Sequence, residues 1–112
     1  MGPAGQALLR TGLMEGGAYS VISRVEVLGF PQAPAEIESA ERLFAGLTRI
    51  DLDSAVVEQT IALRRQKKIK IPDAIIAATA LLHGLSLVTH NVRDFQWIEV
   101  LRLVDPLAEA TL

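Results

Sequence analysis

Glu26, Asp73 and Asp94 are the residues of this chain whose types and spacing could do chemistry. Glu26 closes a Ser-x-x-Glu pattern that begins at Ser23. Asp73 follows Pro72 at the mouth of an apolar run, and Asp94 comes shortly after a β-prone segment. If these segments fold as strands alternating with helices, all three carboxylates fall at strand-to-helix junctions along one edge of a parallel sheet, where open α/β sheets place ligand sites. Carboxylates gathered there repel one another unless a cation joins them. Oxygen donors, with no cysteine and no well-placed histidine, suit Mg2+ or Mn2+. Each residue also has a plainer account: Glu26 as half of a helix capping box, Asp73 as a charge at a helix N-terminus, Asp94 as a turn residue before a buried Phe95. Their shared edge raises the metal reading above three separate coincidences.

The stretch that must position them runs over residues 71–95. Pro72 and Asp73 open a helix that is apolar almost all round (Ala74, Ile75, Ile76, Ala77, Ala78, Ala80, Leu81, Leu82), so most of its faces are expected to be buried. Gly84 stops it, residues 85–89 read as a short strand, and Asn91 and Asp94 stand at that strand's carboxyl end. Upstream, residues 7–14 predict a short helix ending at Gly16-Gly17, residues 19–22 a strand, and Ser23 the start of a helix that Gly29, Pro31 and Pro34 break early. A helix over 35–46 and a strand over 48–52 follow. Asp53 then caps a helix through Gln66 whose inward residues are Val56, Val57, Thr60, Ile61 and Leu63. Residues 97–103 predict the last strand. Alternating strands and helices indicate an α/β domain around a mostly parallel sheet.

A chain of 112 residues, half of them hydrophobic and 21% charged, makes one domain spanning residues 1–112 and able to bury a core without staples. The absence of cysteine excludes disulfides and thiolate metal sites and fits a reducing cytoplasm. No apolar run reaches the ~20 residues needed to span a bilayer. A net charge of −2 argues against indiscriminate nucleic-acid binding. Yet Arg64, Arg65, Lys67, Lys68 and Lys70 crowd together, either as a solvated helix end or as a patch that contacts phosphate.

Three stretches in order, residues 20–30 (SVISRVEVLGF), 72–80 (PDAIIAATA) and 87–95 (LVTHNVRDF), closely resemble PIN domains of the VapC type, the toxin halves of type II toxin–antitoxin pairs. The resemblance implies a three-layer α/β/α fold and a cytoplasmic Mg2+- or Mn2+-dependent endoribonuclease. It carries Glu26, Asp73 and Asp94 over as catalytic and metal-holding residues, with Thr89, Asn91 and Ser23 in support. It also implies a cognate antitoxin and a homo-oligomer as partners. Arg24, Lys67, Lys68, Lys70 and Arg93 are the cations expected to meet RNA if they border the acidic edge.

PIN domains open with a central strand ending in an Asp that binds metal, and this chain begins after the matching point. Glu15, beside Gly16-Gly17, is no substitute. The expectation is therefore a sheet with its first, central strand missing, whose flanking strands pair directly or recruit a second chain, the latter being favoured. Two functions follow. One is a ribonuclease, either weakly active or complete in a longer form whose upstream codons supply the strand. The other is an inactive PIN remnant that binds an antitoxin or other protein. A receiver-like phosphoacceptor domain would want paired acids after its first strand, and none are present.

Overall fold

The computed structural model describes residues 2–106. In chain order these form α1 (Pro3–Thr11), β1 (Leu13–Met14), a 3-10 turn (Glu15–Gly17), β2 (Ala18–Ser20), α2 (Val21–Leu28), α3 (Pro34–Ala45), β3 (Thr48–Ile50), α4 (Ser54–Gln66), α5 (Ile71–Leu82), β4 (Leu87–Val88), α6 (Val92–Phe95) and β5 (Leu103–Val104). The single-domain expectation also covered Met1 and residues 107–112, which lie outside the described residues.

The apolar run builds the central helix as its composition requires: every side chain of α5 from Ala74 to Ala80 is buried. Pro72 stands in the first turn, where its missing N–H costs nothing. At the other end Gly84, at φ +64, lets the chain close the helix. Its N–H donates to the Leu81 carbonyl (3.2 Å) and the Leu85 N–H to the Ala80 carbonyl (2.9 Å). α4 starts as expected at Asp53, whose carboxylate accepts from the Val56 N–H at 2.9 Å. Of its five residues expected inward, Val56, Thr60 and Leu63 are buried, but Val57 and Ile61 are exposed.

The five strands run in the order β3-β2-β1-β4-β5. The outer pairs, β2 with β3 and β4 with β5, are parallel. The centre differs from expectation. Residues 7–14 do not form one helix: α1 ends at Thr11, Gly12 turns the chain at φ +115, and Leu13–Met14 enters the sheet between β2 and β4, antiparallel to both. The slot expected to be empty is thus filled from within the chain. The unpaired flanking edges that favoured a second chain do not arise.

Alternation across these strands makes three layers. Leu13 and Tyr19 face a cluster with Leu8, Val27, Ala40 and Phe44 beneath α1, α2 and α3. Met14 and Ala18, their chain neighbours, face a cluster with Val56, Leu63, Ile76, Leu87 and Phe95 beneath α4, α5 and α6.

Other boundaries also move. The second strand is Ala18–Ser20, and the helix after it starts at Val21 with Ser20 as its cap, the hydroxyl accepting from the Ile22 N–H at 3.3 Å. Ser23 is therefore a buried residue inside α2 and not a capping-box residue. The fourth strand keeps only Leu87–Val88 of residues 85–89. The fifth is Leu103–Val104, while residues 97–101 fold as turns that bury Ile98 and Leu101. Among the described residues no helix is long and apolar enough to cross a membrane.

Candidate active site

Glu26 lies on α2 just past β2, Asp73 in the first turn of α5, and Asp94 on α6 just past β4. All three elements meet at the carboxyl ends of β2 and β4, and the three residues line one cleft of about 310 Å³ together with Asn91, Arg10 and Lys70. Glu26 and Asp94 are exposed and Asp73 is half-buried. The Asp73 carboxyl is pushed above its ordinary value chiefly by burial, then by the negative charge of Asp94, with a smaller push from Glu26 and an opposing pull from Lys70. Asp73 thus feels the negative charge of both other carboxylates.

Thr89 and Asn91 hold the rim. Thr89, fully buried, donates its hydroxyl to the Leu9 carbonyl (3.2 Å) and accepts from the Asn91 N–H (3.0 Å). The Asn91 amide donates to the Arg10 carbonyl at 2.6 Å, which leaves its own oxygen as the acceptor available to the cleft. Ser23 is buried with a hydroxyl that has no hydrogen-bond partner among the described residues, and it does not line the cleft.

A second cleft of about 280 Å³ adjoins the first and shares Asp73, Asp94 and Lys70 with it. Its other charged residues are Lys67, Lys68 and Arg93. Four of the five expected cations therefore border the acidic edge. Arg24 does not: its guanidinium is held by both carboxylate oxygens of Glu41, at 2.6 and 2.8 Å, and lies 5.7 Å from the centre of the Phe44 ring.

Sequence reasoning missed two residues. Arg10 lines the acidic cleft because β1 runs backwards, which brings the end of α1 to the edge where the central strand of a parallel sheet would end. Only knowing that the helix stops at Gly12 would have revealed it. Trp97 lines the basic cleft, with its indole N–H donating to the Asp94 carbonyl at 3.1 Å. Its spacing of three after Asp94 was the available signal. Glu15 sits at the opposite, amino edge, where it accepts from the Ser86 N–H (2.7 Å) and pairs with Arg102 (3.1 Å).

Hard oxygen donors at a shared edge fit a divalent cation of the Mg2+ or Mn2+ kind. Among the described residues, however, no three His, Cys, Asp or Glu side chains come close enough to hold one as they stand. Asp73 and Asp94 would hold it, with Glu26 lining the same cleft.

The PIN domain family matches residues 8–100, and the chain belongs to that family. Its structure is similar to one of a toxin–antitoxin complex from Klebsiella pneumoniae, with a TM-score of 0.67 and 34% sequence identity, over 78% of this chain and 71% of that one. No curated protein matches the chain.

Proposed function

We propose that this PIN domain is a VapC-type toxin that hydrolyses RNA phosphodiester bonds at the edge where Glu26, Asp73 and Asp94 meet. The observation that carries the reading is the pairing of two clefts, one acidic and one basic, through Asp73, Asp94 and Lys70. An acidic pocket repels phosphate, so a nuclease of this kind needs cations at its rim to hold the backbone. Lys67, Lys68, Lys70 and Arg93 do this. Asn91, fixed by Thr89 and by the Arg10 carbonyl, orients the attacking water through its amide oxygen. Glu26, which lines the same cleft, takes a proton from that water as its oxygen bonds to phosphorus and the ribose oxygen leaves to be protonated by solvent. When bound, a Mg2+ or Mn2+ ion supplies charge neutralisation and an activated water. The test is cleavage of a labelled single-stranded RNA with added Mn2+ or Mg2+. Glu26→Gln, Asp73→Asn and Asp94→Asn should each lower the rate by at least ~100-fold, the scale for removing one preorganised electrostatic group.

One observation favours a second reading, that of a binding module without activity. Arg10 stands at the centre of the edge, and the acidic residues do not close into a three-residue cluster. Wild-type protein that cleaves RNA no faster than Glu26→Gln, Asp73→Asn and Asp94→Asn would establish it. Either reading takes an antitoxin as partner, supported by the structural neighbour, which is a toxin–antitoxin complex. Exposed Leu52, Val57, Ile61 and Ile71 line an apolar groove beside Arg64 and Arg65 that suits an acidic amphipathic helix from such a partner. The reading also places the chain in the cytoplasm, beside its RNA and antitoxin. It includes self-association of two copies, which light scattering would detect.

A further inference from the structure

We propose that Trp97 is a platform on which one unpaired RNA base stacks beside the acidic cleft, so that the site takes single-stranded RNA; this rests on the ribonuclease reading above. Trp97 is the only tryptophan of the chain. It is partly exposed in the basic cleft, among Lys67, Lys68, Lys70 and Arg93. Cations hold a phosphate backbone by themselves, so a large aromatic ring among them adds something that phosphate does not need. What it adds is a π surface, which every base can use and which binds single strands with little regard to sequence.

The ring is held in place. Its N–H is taken up by the Asp94 carbonyl at 3.1 Å, which ties the indole to the short helix that carries Asp94 and Arg93. A base on this ring therefore belongs to a nucleotide flanking the phosphate held near Asp73 and Asp94. The Lys67 ammonium lies 5.7 Å from the ring centre and stands in for the incoming base. Lys67 is an exposed, flexible side chain, and a stacked base displaces it toward the phosphate. A duplex cannot use this seat, because its bases are already stacked on each other.

Because Trp97 is the sole tryptophan, its emission reports the contact directly. The experiment titrates the full chain, in chelator so that no RNA is cut, with oligouridylate of about eight nucleotides. The same titration uses an abasic ribose-phosphate strand of equal length and an RNA duplex. The expected result is saturable quenching by oligouridylate, with abasic and duplex strands binding about tenfold more weakly and leaving emission unchanged. Trp97→Phe keeps most of the preference for the base-bearing strand, and Trp97→Leu loses it. The wild-type comparison needs no substitution and so stands even if Trp97→Leu folds poorly. Equal affinity for base-bearing and abasic strands, binding without a change in emission, or no binding of any strand would overturn the proposal. Failure of the ribonuclease reading looks different: RNA left uncut with Mn2+ while quenching persists.

Discussion

The side-chain amide of Asn91 donates a 2.6 Å hydrogen bond to the carbonyl of Arg10, joining residues 81 apart in the chain. Next to it the Leu9 carbonyl accepts from both the Thr89 hydroxyl (3.2 Å) and the His90 N–H (3.1 Å). The last carbonyls of a helix have no partner of their own, and here the exit of β4 supplies them. One set of bonds therefore closes α1, fixes Asn91 at the cleft and brings Arg10 to its rim.

Thr89→Val tests that arrangement. Valine keeps the shape of threonine but removes the hydroxyl, so the bond it donates to the Leu9 carbonyl and the one it accepts from the Asn91 N–H are lost in a fully buried place. A loss of ~1–3 kcal/mol in urea unfolding is expected. Thr89→Ser, which retains the hydroxyl, should lose clearly less. Equal losses in the two variants would assign the effect to packing.

The basic cleft predicts a salt dependence. Each phosphate contact on a single strand contributes ~0.7 to the slope of log affinity against log salt. Replacing Lys67, Lys68 and Lys70 by Gln should weaken RNA binding at low salt and reduce the slope by up to ~2. Replacing Arg24, which is held by Glu41 away from the cleft, should leave the slope where it was. A slope unchanged by the triple replacement would make the cluster a matter of solubility.

Asp73 predicts a pH dependence of stability. Burial and the neighbouring carboxylates of Asp94 and Glu26 raise its folded-state value above the ordinary 3.8. The folded protein then binds the proton more tightly than the unfolded chain. Its contribution is fully present below the unfolded value and is lost as pH rises through the folded one. Without divalent cation, Asp73→Asn should therefore melt higher than wild type at pH 7, with the gain vanishing near pH 3.5. The effect is modest because the group is only half-buried. Added Mn2+ should narrow the gap by stabilising the wild type alone. A variant less stable at pH 7 would reverse the sign and remove mutual repulsion as the cause.

What the sequence revealed follows from how strongly local physics constrains each element. The apolar run of α5, the Asp53 cap and the proline-opened α3 depend on periodicity and short-range bonds, and all were legible. So was the shared edge of Glu26, Asp73 and Asp94, because right-handed alternation of strand and helix sends those junctions the same way. The two-residue strands were not, since Leu13–Met14 and Leu103–Val104 are too short to show a period. Nor could Ser-x-x-Glu at Ser23 be told from a cap, since the true cap, Ser20, lies three residues upstream and carries an equally good hydroxyl. Arg10 was hidden for a topological reason: its place at the cleft depends on β1 running backwards, a tertiary choice with no local signature.

That reversed central strand makes the sharpest prediction, at Gly12. Its backbone, at φ +115 and ψ 124, lies where side chains are strained. A Cβ there would stand 2.7 Å from a Leu87 methyl and 3.2 Å from an Ile76 methyl. Both residues are fully buried, so neither can swing into solvent. Gly12→Ala should thus carry a backbone cost of ~1–3 kcal/mol and an overpacking cost of ~1–3 kcal/mol. In a domain of ~5–15 kcal/mol total stability the sum lowers Tm by roughly 10 °C or more. Gly46→Ala is the control: its φ of −88 suits any residue, and its Cβ would meet only the Leu43 carbonyl at an ordinary 3.7 Å. That change should stay within ~1 kcal/mol of wild type. Amide exchange supplies the second readout, since Leu13 and Met14 pair with Val88 and Leu87 on one side and Met14 with Ala18 on the other. Their N–H groups should be protected in the wild type and exchange faster in Gly12→Ala. If Gly12→Ala is as stable as Gly46→Ala and Met14 exchanges freely in the wild type, the chain does not fill its own central slot, and a second chain again becomes the way to close the sheet.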